Sequence, residues 1–320
     1  MTTVFITGGT GSLGRALINH IKQMGWRIIV YSRDEGKQAL YFGNDPEITR
    51  IIGDIRDIEK LKTSMLLHKP DYVIHTAALK RVDDMEFHPD ECVKTNIKGS
   101  ENVAIAALCS NVKKCILIST DKACQPVNVY GSSKFIAERI FTNFDYNSDS
   151  TIFASVRYGN VIASRGSFIP AWKKLIENQE PIKVTSMECS RFLFTLKDAV
   201  YTVLGALSSA QGGEVFIPKI NSYSMNTVIG AMKLVCGVDH IDHQLIGMRP
   251  GEKIHEDMLA QTELPFTYEV NNKLLVVKPQ YTRKSHTYDL KYHGDHFNSS
   301  LHLEEDPNKL SQIIIVGLNQ

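Results

Sequence analysis

Hydrophobic positions fall into two alternating patterns along the first half of the chain. Short apolar, β-branched runs stand at residues 4–7, 27–31, 51–52, 72–75, 115–119 and 151–156. Between several of them lie helix-like stretches at 13–24, 57–68 and 96–110. Strand, helix, strand at this spacing predicts βαβ units and a parallel sheet. Right-handed crossovers then place helices on both faces. The expectation is a doubly wound α/β domain of Rossmann type over residues 1–160. After about Arg157 the rhythm loosens. Breaks at Ile169-Pro170 and Glu180-Pro181, with irregular strand-like pieces, predict a smaller α/β substrate-binding lobe over 161–298, from which the chain is free to cross back to the main domain. The tail, 299–320, is polar and acidic around residues 303–308 and ends in an apolar run at 312–316. The sequence leaves open whether this tail frays, packs back as a strand or meets another subunit. There is no internal repeat and no low-complexity segment.

Composition narrows the function classes. A chain of 320 residues makes one large domain or two modest ones. With 43% hydrophobic and 22% charged residues it is ordinary globular protein. Lys+Arg 36 against Asp+Glu 35 leaves a net charge of +1, which argues against a nucleic-acid partner. A local basic pocket for a small anion stays open. No apolar run approaches the roughly 18–20 residues of a membrane span, and the first residues lack the pattern of a signal peptide. Cys92, Cys109, Cys115, Cys124, Cys189 and Cys236 form no C-x-x-C and no Cys/His cluster. They read as reduced thiols of a cytoplasmic protein without a metal site.

The segment Val4-Phe-Ile-Thr-Gly-Gly-Thr-Gly-Ser-Leu-Gly14 joins the first predicted strand to the first helix. Gly8, Gly11 and Gly14 form a G-x-x-G-x-x-G dinucleotide fingerprint, with Thr10, Ser12 and Leu13 between them. Glycines let the backbone turn tightly and approach a pyrophosphate, and the helix start offers free N–H groups to that anion. The second strand ends Tyr31-Ser32-Arg33-Asp34. An acidic residue here takes the ribose hydroxyls of NAD, whereas Arg33 can pair with a 2′-phosphate and stack on adenine. The order Ser32-Arg33 favours NADP, and Asp34 keeps NAD open. In Gly53-Asp54-Ile55-Arg56-Asp57, Asp54 can reach the adenine ring beside Ile55, or it can cap a helix, for which Asp57 is the more obvious residue.

Tyr130-Gly-Ser-Ser-Lys134 puts a phenol and an ammonium one helical turn apart. A nearby ammonium lowers a phenol's pKa from about 10, so the phenolate can take a proton from a hydroxyl while hydride leaves to a nicotinamide. With the glycine loop, this points to a short-chain dehydrogenase/reductase. Upstream, Ile118-Ser-Thr-Asp-Lys122 closes an apolar strand, where such sheets place ligands. Thr120 can bond the oxygen being oxidised. Asp121 and Lys122 put an acid and an ammonium side by side.

Here the resemblance becomes specific. Thr120-Asp-Lys122 ahead of Tyr-x-x-x-Lys resembles the nucleotide-sugar 4,6-dehydratases of the extended short-chain family, and most of all the inverting UDP-N-acetylglucosamine 4,6-dehydratases of pseudaminic-acid type. Further matching segments are His75-Thr-Ala-Ala-Leu-Lys80, Lys94-Thr-Asn-Ile97, Arg157-Tyr-Gly-Asn-Val161, Ser164-Arg-Gly-Ser167, Arg191-Phe192, Gly213-Glu214 and Arg249-Pro-Gly-Glu-Lys-Ile-His-Glu256. The stretch after about Leu290 matches nothing in that family.

The resemblance implies that Tyr130 removes the C4 hydroxyl proton as hydride passes to NADP⁺, and that Lys134 tunes Tyr130 and holds the nicotinamide ribose. Lys122 is then the base for the C5 proton and must be neutral, which partial desolvation or nearby cations would favour. Asp121 is the acid that protonates the departing C6 hydroxyl, and burial favours the proton it must hold. Hydride returns to C6, a proton returns to C5 from the other face, and the cofactor is regenerated in place. Ala77, Ala78 and Leu79 line the cofactor cleft, with Lys80 above the substrate mouth. Asn160, Arg191 and Arg249 hold the UDP-sugar diphosphate or ribose, and Glu252 accepts from the uridine ribose. Relatives of this fold are homo-oligomers, dimers or hexamers. A retaining 4,6-dehydratase or a C4-epimerase is the nearest alternative, although an epimerase needs neither acid nor base at C5 and C6. A non-catalytic NADP-binding sensor or scaffold would be expected to have lost Tyr130, Lys134 or Asp121, and all three are present.

Overall fold

The computed structural model describes residues 1–43 and 45–319. Its strands are β1 (Thr3–Thr7), β2 (Arg27–Ser32), β3 (Ile48–Ile52), β4 (Tyr72–His75), β5 (Lys114–Ile118), β6 (Ile152–Val156), β7 (Asn160–Val161), β8 (Ile182–Val184), β9 (Ser190–Phe194), β10 (Val215–Pro218), β11 (Ser222–Ser224), β12 (His243–Leu245), β13 (Asp257–Leu259), β14 (Thr267–Asn271), β15 (Leu274–Val277) and β16 (Phe297–Asn298). The large sheet has the order β14-β15-β10-β6-β5-β4-β1-β2-β3. From β10 to β3 every neighbouring pair is parallel. β15 and β14 add antiparallel steps at one edge. The run 3-2-1-4-5-6 is the doubly wound order, and its direction reverses between β1 and β4. Sheets of this order bind ligands beyond the carboxyl ends of their strands, at this reversal.

Val4, Phe5 and Ile6, like Ile28, Ile29 and Val30, are fully buried, because the strands carrying them are covered on both faces. Val4, Ile6, Ile28 and Val30 share one core with Leu17, Ile18 and Ile21 of the helix Ser12–Gln23 and with Ala199 and Val203 of the helix Leu196–Ser209. Phe5, Ile29, Val73 and Leu117 share the opposite core with Leu61, Met65, Val103 and Phe141. The apolar run at 51–52 belongs to a strand that begins earlier, at Ile48. The helix expected over 96–110 begins as a wider π turn, Val93–Lys98, before the α-helix Gly99–Cys109.

The second half of the chain alternates between layers. β7, β9 and β11 form a small sheet, and β8 pairs with β12. Ile162, Trp172, Val184, Leu193 and Met232 build the core of this lobe. The helix Leu196–Ser209 and β10 return to the large sheet, as do β14 and β15. The tail is a helix, Pro307–Leu318, packed on the helix Met225–Cys236. An apolar run alone carries no period. The signal lies just before it, where the Asp306 side chain accepts from the Asn308 N–H at 2.9 Å and Pro307 opens the first turn. Among the described residues no helix is long and apolar enough to cross a membrane.

Leu310 and Ile314 are fully buried in the lobe core. Leu310→Ala should cost about 2–5 kcal/mol, read as a lowered urea midpoint. An unchanged midpoint would show that this helix is not part of the folded core.

Candidate active site

The glycine loop is shaped by contacts that no side chain would allow. Gly8 has φ +69°, and a Cβ there would lie 2.7 Å from the Ala77 nitrogen. A Cβ on Gly14 would lie 2.6 Å from the Gly9 Cα. The loop closes through Gly8 N–H to the Tyr31 carbonyl and Gly11 N–H to the Gly8 carbonyl, both 2.9 Å. The helix Ser12–Gln23 starts from Gly11 with no side-chain cap, so the amides of its first turn are left for an anion. This cradle fits the diphosphate of a dinucleotide. Thr10 and Ser12 are also met from the lobe: the Arg165 N–H donates to Ser12 Oγ at 3.1 Å, and its guanidinium donates to the Thr10 carbonyl at 3.2 Å. Arg165 lay within a matching segment, but nothing in the sequence gave it a role.

At the end of β2, Ser32 is buried and its Oγ accepts from Gln38 at 3.0 Å. The Asp34 carboxylate caps the helix Glu35–Phe42, accepting from the Lys37 N–H at 2.9 Å and pairing with the Lys37 ammonium. Arg33 is half exposed and 3.5 Å from Asp54. Asp54 is also bound by Arg56 at 2.8 Å, so its carboxylate orients arginines. Asp57 caps the next helix. Ile55 is buried in the core. Ala77, Ala78, Leu79 and Lys80 follow β4, at the reversal of the sheet. Leu79 is held on both its N–H and its carbonyl by the side chain of Asn96, which also donates to Ser133 Oγ at 3.0 Å. Asn96 thus ties the cofactor cleft to the Tyr130 helix from within the π turn. Lys80 stands at the rim, its pKa lowered by partial burial and by Arg165. His75 is a packing residue: burial pushes it down to about 3, and it bonds Thr7 and Ser100.

Thr120, Asp121 and Lys122 form a turn immediately after β5. Asp121 Oδ1 accepts from the Thr120 hydroxyl at 2.8 Å, from its neighbour's N–H at 2.9 Å and from the Lys122 ammonium at 3.1 Å. The Oδ2 atom is buried with no hydrogen-bond partner among the described residues. The helix Val129–Tyr146, which carries Tyr130 and Lys134, sits directly on this turn. A Cβ at Gly131 would overlap the Lys122 carbonyl, so the close approach requires glycine. Burial raises the Tyr130 phenol to about 12, opposed chiefly by the Lys122 ammonium and the Thr120 hydroxyl. Burial lowers Lys134 to about 8, opposed by Glu138. The cation that pulls most on Tyr130 is therefore Lys122, where the Tyr-x-x-x-Lys spacing had suggested Lys134. Lys122 also departs from expectation. Burial alone would lower its pKa, but Asp121 and Glu256, the latter at 3.2 Å, outweigh burial and raise it. The resting site holds an ammonium there.

The lobe side is stitched to this turn by one loop. Asn128 donates to the Gly251 carbonyl at 2.7 Å, and Lys253 donates to the Cys124 carbonyl at 3.1 Å. Within the loop, Glu252 joins Arg191 at 2.8 Å and Arg249 at 3.3 Å, and these two arginines hold its carboxyl below the usual range against burial. Arg191 is largely buried and also donates to the Ser190 and Ile254 carbonyls. Arg249 is half exposed. Asn160 stands on the edge strand β7 with a buried, unpartnered Oδ1. The structure therefore brings Thr120, Asp121, Lys122 and Tyr130 together, and gathers Arg191, Arg249 and Glu252 into a second cluster.

Residues 4–278 match a family model described as polysaccharide biosynthesis protein. Over 279 residues the chain is 43% identical to UDP-N-acetylglucosamine 4,6-dehydratase (inverting) of Campylobacter jejuni subsp. jejuni serotype O:2, covering 84% of this chain and 80% of that one. It is 37% identical over 278 residues to UDP-glucose 4-epimerase of Rickettsia felis, covering 82% and 79%. The crystal structure of Pen from Bacillus thuringiensis has a TM-score of 0.90 and 33% identity, over 99% of this chain and 97% of that one. From its glycine loop through its Tyr–Lys helix to the last strands of the large sheet, the chain belongs to the polysaccharide biosynthesis protein family.

Proposed function

We propose that this chain is a UDP-N-acetylglucosamine 4,6-dehydratase that inverts C5, and that it yields UDP-2-acetamido-2,6-dideoxy-β-L-arabino-hex-4-ulose. The reading rests above all on the buried turn after β5. There Asp121 and Lys122 stand beside Tyr130, an acid and an amine that a C4-epimerase has no use for. The cofactor is a nicotinamide dinucleotide, and when bound it supplies a hydride acceptor for C4 and a donor for C6. NADP is the form favoured. Asp34 is already committed to its helix cap, while Arg33 stands half exposed with one long ion pair.

Tyr130 takes the C4 hydroxyl proton; burial raises its phenol to about 12, and the Lys122 charge and the Thr120 hydroxyl keep it from rising further. The C4 ketone then acidifies C5, and the base at C5 is Lys122. Asp121 gives the proton that leaves with the C6 oxygen. Its Oδ1 is engaged by three donors, so Oδ2 is the atom that can carry a proton without breaking those bonds. Asn160, Lys80, Arg191 and Arg249 take the UDP portion. Glu252, shared between two arginines, is placed to exchange one of them for ribose hydroxyls. The proposed setting is a cytoplasmic homo-oligomer.

Proton NMR of UDP-N-acetylglucosamine with the enzyme in D₂O tests this reading. A C6 methyl signal is expected, with deuterium at C5 and L-sugar couplings. D-xylo couplings would make it a retaining dehydratase, and a C4 epimer without a methyl would contradict the role given to Asp121 and Lys122. Arg33→Ala should weaken NADP by at least about tenfold more than NAD, since a charge-assisted bond contributes about 1.5–3 kcal/mol. Equal weakening of both cofactors, by fluorescence titration, would remove Arg33 from the 2′-phosphate.

A further inference from the structure

A base must be neutral when it acts, yet Lys122 is held as an ammonium between the carboxyl groups of Asp121 and Glu256. The structure offers that proton two destinations. Asp121 Oδ1 already accepts from a hydroxyl and an amide besides the ammonium, so its lone pairs are taken. Among the described residues, the only ion pair of the Glu256 side chain is with the Lys122 ammonium, at 3.2 Å, and the Arg191 charge also acts on it. Its other oxygen, Oε2, is buried without a partner, and the residue is 2% exposed. Glu256 therefore has oxygen lone pairs free to receive a proton where Asp121 Oδ1 has none. Its position is firmly fixed. The Glu256 N–H donates to Ser299 Oγ at 2.9 Å, and the Ser299 N–H returns a bond to the Glu256 carbonyl at 2.8 Å.

We propose that Glu256, which acts through Lys122 and not on the sugar, takes one proton from the Lys122 ammonium and so makes Lys122 the base at C5. This step rests on the 4,6-dehydratase reading. An N–H bond of Lys122 breaks and an O–H bond forms on Glu256. The freed nitrogen lone pair then takes the C5 proton, and the C5–H electrons pass into the C4–C5 enolate. Asp121 keeps its own proton for the C6 oxygen. The other ionisable groups facing this pair are Asp121 in the same turn, Tyr130 on the helix Val129–Tyr146 and Arg191 on β9. Of these only Asp121 has a carboxyl group, and its role as acid requires that it already carry a proton.

The test is C5 deuterium exchange in D₂O as a function of pH, with cofactor reduction followed in parallel by nicotinamide absorbance. Glu256→Gln should still reduce the cofactor, because it leaves in place the Lys122 ammonium, whose charge favours the Tyr130 phenolate. Its C5 exchange should fall about 100-fold at neutral pH. Exchange should then climb about tenfold per pH unit, as Lys122 loses its proton to solvent instead. Glu256→Asp, which keeps a carboxylate, should regain most of the rate without that slope. Wild-type exchange at neutral pH in Glu256→Gln would overturn the proposal. Independently of any variant, the wild type should show nearly flat exchange across about two pH units around neutrality, and a tenfold climb per unit there would also overturn it. Wild-type protein that forms no methyl product would overturn the dehydratase reading and this step with it. Methyl formation with an unaffected Glu256→Gln would overturn this step alone.

Discussion

An ammonium buried between two carboxyl groups is the constraint around which the rest of the site is arranged. Removing ions from water costs several kcal/mol each, and attraction repays this only when the geometry is held closely. Three separate parts of the chain hold it here. The turn after β5 carries Asp121 and Lys122, the loop before β13 carries Glu256, and Ser299 beyond β16 fixes the Glu256 backbone. Gly131 lets the Tyr130 helix start against the same turn. Asn128 and Lys253 cross between turn and loop. The charges meet only when the main sheet and the lobe are both folded, so the chemistry depends on the junction of the two layers.

That dependence explains what could be read from the chain and what could not. Local signals sufficed for the parallel sheet, because β-branched runs and helical stretches alternate at short range. They sufficed also for the glycine loop and for Tyr130 with Lys134, each a motif within a few residues. Lys122 was visible as a residue but not as a charge state, since its partner Glu256 is more than a hundred positions away. Asn96, Arg165 and Glu256 all lay inside segments that matched the family, yet their roles come from contacts across the fold. The terminal helix was hidden for a different reason. Its apolar run has no readable period, and the Asp306-Pro307 start that defines it precedes that run. The return of β10, β14 and β15 to the large sheet depends on pairings that no local pattern records.

Cations of different origin converge on the cofactor cleft. Arg33 comes from the end of β2, Lys80 from the loop after β4, and Arg165 from the lobe. The charge of Arg165 is felt at both Lys80 and Asp34. A near-neutral chain can therefore present a locally positive cleft to an anionic dinucleotide. The contacts of Arg165 with the glycine loop also join the lobe to the cofactor side, which suits an enzyme that must keep its cofactor through an oxidation and a reduction.

The central claim is that one pocket divides its work, with Tyr130 serving C4 and the Asp121–Lys122 turn serving C5 and C6. A single-turnover experiment with Lys122→Ala separates the two directly. Reduced-nicotinamide absorbance and the C6 methyl signal are followed together after mixing with UDP-N-acetylglucosamine in D₂O. The account predicts that reduced cofactor forms more slowly than in the wild type, because Tyr130 loses the Lys122 charge, and then persists, with no methyl and no deuterium at C5. Methyl product formed at the wild-type rate would contradict it.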